Sequence, residues 1–164
     1  MFITTINFEE ENHYNAHQRV KGIFPDGNAC FRFSSGKIQI LSEYRPLDLR
    51  DAKLINRIIK PGKNRFKLRT HYVKRDKITK KNIPACPYKF KDWLIEKIGS
   101  SAKIINFSIL KEEFIEIKKE HKFFLYSIDI EGFIEILDEK IFEKVILKGI
   151  GKKKSFGFGA LILD

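Results

Sequence analysis

Gly149-Ile150-Gly151-Lys152-Lys153-Lys154-Ser155-Phe156-Gly157-Phe158-Gly159 brackets three consecutive lysines with four glycines, and Ala160-Leu161-Ile162-Leu163 follows. Glycine reaches left-handed backbone angles and lets another chain approach closely. Successive amides in such a loop can form an anion-binding nest. With three ammonium groups added, a phosphate backbone is the natural ligand. On these residues alone, an ordinary glycine-capped turn carrying a solvated lysine run fits equally well.

The flanks give the loop its context. Ile141, Phe142, Val145 and Ile146 fall at helical spacing after Asp138, an N-cap residue, and Gly149 sits where a C-cap glycine belongs. The spacing predicts a helix over 138–148 and a buried strand over 156–163. The order helix, glycine loop, strand is the reverse of a dinucleotide fingerprint. A P-loop is excluded as well, because Gly151-Lys152 is followed by Lys153 instead of Ser or Thr.

A chain of 164 residues with 43% hydrophobic content can bury a core as one medium domain or two small ones. Its formal charge of +11 points to a polyanionic partner. Nucleic acid is favoured over an anionic membrane surface, because the lysines are scattered among strand-like segments and do not decorate one amphipathic helix. The start, Met1 to Phe8, carries no basic residue and runs into Glu9-Glu10-Glu11, unlike a signal peptide. No apolar run reaches transmembrane length. Cys30 and Cys86 have no metal-ligand spacing and read as structural residues. A cytoplasmic protein without metal or cofactor is the expectation.

Working forward from Met1, residues 2–8 read as a strand and Asn12 as the cap of a helix over 13–24, with Ala16, Val20, Ile23 and Phe24 as its core stripe. Pro25-Asp26-Gly27-Asn28 is a turn, and strands at 29–34 and 37–42 flank Ser35-Gly36. Leu47, Leu49, Leu54, Ile55 and Ile58 suggest a helix at 48–60, stopped by Pro61-Gly62, and 66–73 reads as a strand. That order is βαββαβ, the ferredoxin-like arrangement. A basic stretch, Lys74 to Asn82, then sets the domain boundary, giving domains at 1–76 and 84–164. In the second, Phe90, Trp93, Leu94 and Ile98 mark a helix ended by Gly99, followed by strands at 103–110, 113–118, 123–130 and 133–136. The fold class is α+β, with tandem ferredoxin-like (RRM-like) domains.

A ferredoxin-like duplication ending in Gly-hydrophobic-Gly, a basic stretch and Gly-aromatic-Gly resembles the RAMP proteins of CRISPR systems. Tyr14-Asn15-Ala16-His17 running on to Phe24-Pro25 resembles the Tyr-x-x-His and Phe-Pro segment of the CasE family, endoribonucleases of type I-E systems. Phe66-Lys67-Leu68-Arg69-Thr70-His71-Tyr72-Val73-Lys74 is similar to that family's Phe-Arg-Leu-Arg-Ala-Asn-Pro-x-Lys strand, although Thr70-His71-Tyr72 replaces Ala-Asn-Pro. Trp93-Leu94 and the tail match in order.

RNA needs no metal to be cut, because its 2′-hydroxyl can attack the neighbouring phosphate. An imidazole titrating near neutral pH can carry the proton, and an ammonium can meet the developing charge. Tyr14, His17 and Lys21 lie at i, i+3 and i+7 on one helix face. The resemblance implies that His17 transfers the proton and Tyr14 orients the ribose; Lys21 is our own addition as charge stabiliser. His13 reads as structural, His71 as packing or base-stacking, and His121 as solvated. RNA-binding candidates are Arg69, Lys74, Lys118, Lys119, Lys122, Lys152, Lys153, Lys154 and Ser155, with Gly149, Gly151, Gly157 and Gly159 shaping the loop. The resemblance implies cleavage of a CRISPR repeat stem-loop to 2′,3′-cyclic phosphate and 5′-hydroxyl ends. It also implies retention of the crRNA in a Cascade complex, with no direct DNA or membrane contact. A non-catalytic RNA-binding subunit of the same fold is the alternative.

Overall fold

The computed structural model describes residues 1–9, 12–27, 29–34, 36–46, 52–56, 59–118 and 121–163. In chain order the elements are β1 (Phe2–Asn7), α1 (His13–Ile23), β2 (Ala29–Ser34), β3 (Lys37–Ser42), β4 (Ala52–Asn56), β5 (Gly62–Thr70), β6 (Val73–Arg75), β7 (Asn82–Pro84), α2 (Phe90–Ile98), β8 (Ala102–Ile117), β9 (Phe123–Ile136), α3 (Glu139–Lys148) and β10 (Leu161–Leu163). Two antiparallel four-stranded sheets result, in the orders β2-β3-β1-β4 and β10-β5-β9-β8, and β6 and β7 form a separate hairpin.

Both sheets have the same winding. Numbered within its own unit, each has strand order 4-1-3-2, and the second unit runs β5-α2-β8-β9-α3-β10. The tandem ferredoxin-like arrangement is therefore present, but its division differs from the sequence reading. Strand 62–70 opens the second sheet and does not close the first. The sheets change between Asn56 and Gly62, and the stretch read as a domain boundary at 77–83 joins β6 to β7 within the second unit.

The helix predicted at 48–60 is replaced by β4. Residues 47–51 and 57–58 lie outside the described residues. A short run such as Leu54-Ile55 carries no period that separates helix from strand. The second edge of β1 decides: Phe2 pairs with Asn56 and Ile6 with Ala52, so β4 takes up backbone groups that would otherwise lack partners. The four strands predicted at 103–110, 113–118, 123–130 and 133–136 are two long ones, β8 and β9. Two register shifts, at Ile104/Asn106 and Ile109/Lys111, break the alternation that sequence reading relies on. At the first of these shifts Gly132 is essential, because a Cβ there would sit 2.2 Å from the Asn106 carbonyl oxygen.

The helices follow their local signals. Asn12 accepts a hydrogen bond from the Tyr14 amide at 3.0 Å, and Ala16, Val20 and Ile23 are buried against Phe31, Phe33, Ile38 and Ile40. Asp138 caps α3 by accepting from the Ile141 amide at 2.9 Å. Phe142 and Ile146 are fully buried, whereas Ile141 is exposed and Val145 half-buried. The second core gathers Phe66, Leu68, Phe90, Leu94, Ile130 and Phe142, among others.

Apolar packing and a polar clamp both fix one sheet to the other. Ile3, Cys30 and Leu41 of the first pack with Ala160 and Ile162 of the tail. Arg69 on β5 makes the polar link: Nε and Nη2 donate to Asp129 Oδ1 and Oδ2 at 2.8 and 2.7 Å, and Nη1 donates to the Phe33 carbonyl on β2 at 2.9 Å. Arg32, also on β2, brings Nη2 to 3.9 Å from Asp129. With only 12% of the Arg69 side chain and 10% of the Asp129 side chain accessible, Arg69 is an interior clamp and not the RNA-facing residue read from the sequence.

Removing one partner of such a pair leaves the other charge buried without its bidentate partner, at a cost of up to about 3–5 kcal/mol. Arg69→Ala and Asp129→Ala should each lower the urea unfolding midpoint accordingly, while an exposed Lys74→Ala control leaves it in place. Unchanged midpoints in both clamp variants would refute the assignment.

Candidate nucleic-acid site

The glycine loop turns back onto α1, and Phe156 is where the two meet. Residues Lys154–Phe156 form a single 3-10 turn, entered through Lys153 at φ +63° and left through Gly157 at φ +81°. His13 Nδ1 lies 2.8 Å from the Phe156 carbonyl oxygen. A carbonyl only accepts, so His13 carries its proton on Nδ1 and donates it. The His17 and Phe156 ring centroids are 6.3 Å apart, and Phe123 meets Phe156 edge-on at 5.6 Å. Tyr14 is half-buried against the cluster of Ile117, Leu125 and Phe158, which Phe123 and Phe156 also join. Lys153 Nζ stands 5.9 Å from the centre of the Phe156 ring.

The structure therefore brings Tyr14, His17 and the lysine loop to one place. Lys21, exposed on the next turn of α1, lines a cavity of about 210 Å³ with His17, Val20, Phe24 and Pro25. The β8–β9 tip arrives at the other, N-terminal end of α1: Asn12 Nδ2 donates to the Lys118 carbonyl at 3.2 Å. Lys118 and Lys122 are exposed and share Glu116 at 4.0 and 3.2 Å, pairs that solvent makes weak. Lys119 lies outside the described residues. Lys152, Lys153 and Ser155 are exposed, and Lys154 is half-buried. Lys74 is exposed on β6, in the β6–β7 hairpin of the second unit. His71 is buried, with Nδ1 donating to the Tyr126 carbonyl at 2.7 Å and its ring 5.9 Å from Phe158, which makes it a packing residue; His121 is exposed.

The loop's backbone differs from a free nest. The amides of Ile150, Phe156, Gly157 and Gly159 donate to Gly159, Lys153, Lys154 and Arg69 carbonyls, respectively. Four loop amides are thus spent on holding the loop's shape, and the ammonium groups are left as the main attraction for an anion. Gly159, at φ +85°, shows why the glycines are there: a Cβ would come 2.7 Å from the Ile150 carbonyl oxygen. Sequence reasoning missed Phe156 as the contact residue. The one available signal was an aromatic standing between the lysines and Gly157.

Burial lowers the pKa of His17, and the charge of Lys21 lowers it further. The imidazole is therefore predominantly neutral near pH 7 and can accept a proton. Burial is also the main cause of the lowered pKa values of His13 and His71, opposed in each by a backbone hydrogen bond.

These features define a tandem ferredoxin-like protein that holds an imidazole beside a cationic glycine loop. The chain belongs to the CRISPR-associated protein family, whose model matches residues 5–164. No curated protein matches it in sequence. Among solved structures, it is similar to the CRISPR-associated protein Cas6e from Escherichia coli K-12, at 20% identity and TM-score 0.78, over 99% of this chain and 98% of that one. It is similarly close to Thermus thermophilus Cse3 bound to an RNA representing a pre-cleavage complex, at 20% identity and TM-score 0.76, with 99% and 98% covered. A chain of a CRISPR RNA-guided surveillance complex matches at 12% identity and TM-score 0.73, again over 99% and 98%. At these identities the likeness establishes the fold. No helix among the described residues is long and apolar enough to cross a membrane.

The buried histidines have a consequence for stability. Their folded pKa values lie below the unfolded value of 6.5. The unfolded chain then binds more protons, so stability is complete above that pH and falls as pH drops through it. The thermal midpoint should decline below about pH 6.5, and His13→Gln with His71→Gln should flatten that decline. An equally steep decline in the double variant would rule these groups out as its source.

Proposed function

We propose that this chain is an endoribonuclease that cuts CRISPR repeat transcripts at a stem-loop without metal, as the CasE resemblance implies. The observation that carries the reading is the convergence of His17 and Lys153 on Phe156, with Tyr14 packed against the same apolar cluster. In the reaction, neutral His17 takes the proton of a ribose 2′-hydroxyl. The freed oxygen attacks the adjacent phosphorus, the P–O5′ bond breaks, and the 5′-oxygen leaves with a proton. The products are a 2′,3′-cyclic phosphate and a 5′-hydroxyl. The Tyr14 ring, fixed by packing, sets the ribose; Lys21 and Lys153 face the charge that gathers on phosphate oxygens. Lys118, Lys122, Lys152 and Lys154 extend the cationic surface over which the stem would lie, since RNA duplexes are held chiefly by shape and phosphates.

The folds of the CRISPR endoribonuclease Cse3, solved with a 19-nucleotide RNA, and of Cas6e support this reading, as does a match to a chain of Cascade on a DNA target. On the same ground we assign retention of the cut RNA in such a complex and a cytoplasmic setting.

The test is to incubate the repeat RNA with the protein in EDTA. Cutting by wild type should persist, and His17→Ala should slow it by about 10²-fold or more. Tight binding with no cutting by either protein would assign the chain to the non-catalytic RNA-binding alternative. Affinity should also fall with salt at a log–log slope of roughly −0.7 to −0.9 per phosphate contact. Replacing Lys152, Lys153 and Lys154 together should make that slope shallower by about two to three contacts' worth; an unaltered slope would place the RNA elsewhere.

A further inference from the structure

The glycine loop also borders a cavity of about 630 Å³ to whose lining α1 contributes no residue, within the usual size range for small-ligand sites. Its wall comes from four separate parts of the chain. The loop gives Lys152 and Lys154, the end of α3 gives Lys148, α2 gives Trp93 and Lys97, and the segment after β5 gives His71. None of Trp93, Lys97, Lys148 or His71 takes part in the cutting site described above.

Three features of this wall select a ligand. Four ammonium groups ask for an anion; the neighbour of Lys97, Glu96 at 2.7 Å, is exposed and offsets little of this charge. Trp93, half-buried against Tyr72 and Phe90, presents an indole to the cavity wall. An aromatic beside cations is the pairing that holds unpaired bases by stacking and their phosphates by charge. The third feature is a hydrogen-bonding demand. His71 spends its Nδ1 proton on the Tyr126 carbonyl, so Nε2 is an acceptor, and it is buried with no partner among the described residues. A phosphodiester group has cations to satisfy it here but no proton to offer that nitrogen. A nucleotide carries donors as well, on the ribose 2′-hydroxyl and on the base.

We infer that this cavity binds an unpaired nucleotide of an RNA strand, its base against Trp93 and its phosphate among Lys97, Lys148 and Lys152. The inference rests on the RNA reading above and extends it to a second position on the same strand. Lys154 in the cavity wall and Phe156 beside His17 are two residues apart, a span of at most about 7 Å. A strand leaving the cut site can therefore cross the loop and enter the cavity. The stem would then be held on one side of the glycine loop and its single-stranded flank on the other.

Trp93 is the chain's one tryptophan, so its fluorescence reports on this cavity directly. Three probes are titrated: a short oligouridine, a closed stem-loop of the repeat without unpaired flanks, and inorganic phosphate. Oligouridine should quench Trp93, and the other two should leave its emission largely unchanged. In the Lys97→Ala, Lys148→Ala double variant the oligouridine titration should shift to about tenfold weaker binding, the loss expected for two charge-assisted contacts. Affinity for the closed stem-loop should fall by much less. Quenching by phosphate alone would overturn the nucleotide assignment, as would no response to oligouridine or an equal loss for both RNAs in the variant. The oligouridine titration is independent of cleavage. A chain that fails to cut repeat RNA yet shows this quenching loses the enzymatic reading and keeps the site.

Discussion

The bidentate pair between Arg69 and Asp129, with its third bond to the Phe33 carbonyl, sets where one half of the molecule stands against the other. Burying both charges costs several kcal/mol of desolvation, and their attraction roughly offsets it. The gain is in geometry more than in energy. A guanidinium has a fixed fork, and here every arm of it is assigned: two to β9 of the second sheet and one to β2 of the first. A slide of the sheets by one residue would leave a buried cation facing the wrong groups. The apolar contacts of Ile3, Leu41, Ala160 and Ile162 supply cohesion, but they would tolerate such a slide far better.

That constraint matters because the candidate site belongs to neither half alone. His17 and Tyr14 come from the first helix, whereas Phe156 and the lysines come from the last loop, more than a hundred residues later. The two meet only if the sheets hold their register. His13 adds a local lock, since its bond to the Phe156 carbonyl ties the loop's turn to the first turn of α1. Gly159 closes the other side, with its amide on the Arg69 carbonyl. The clamp residue thus anchors the loop through its backbone while it anchors the sheets through its side chain.

The sequence was legible where the deciding physics is local. Asn12 and Asp138 cap the helices expected of them, and the stripe of Ala16, Val20 and Ile23 faces the core because 3.6-residue spacing leaves no other face apolar. The loop's glycines announced a tight path, and all four have positive φ. Where the deciding partner is distant in sequence, reading failed. The strand at 52–56 owes its form to the edge of β1, and nothing within those five residues says so. Pro61-Gly62 marked a real boundary, yet it was read as the end of a helix when it stands where one sheet gives way to the other. Arg69 was assigned to RNA because a charge on a basic chain looks like surface; its carboxylate partner is sixty residues away. Tyr14, His17 and Lys21 are candidates from spacing and resemblance, whereas Phe156, which meets both His17 and Lys153, has no motif of its own.

The electrostatics of the site follow from the same placement. A chain of net charge +11 disfavours any further proton, and burial plus the nearby Lys21 ammonium act on His17 in the same direction. The empty site is therefore set for a neutral imidazole, the form that can take a proton. A phosphodiester brought in by Lys153 would have the opposite influence, because a nearby anion favours the protonated ring. Binding thus draws the two forms of His17 closer in energy. In the proposed reaction, removing a proton from the 2′-hydroxyl would leave an imidazolium stabilised by the phosphate it faces, able to give a proton up again as the 5′-oxygen departs. A more solvent-exposed histidine would be screened from both influences. The half-buried seat of His17 against Phe156 gives the lysine loop, and whatever anion it holds, a hold on the proton.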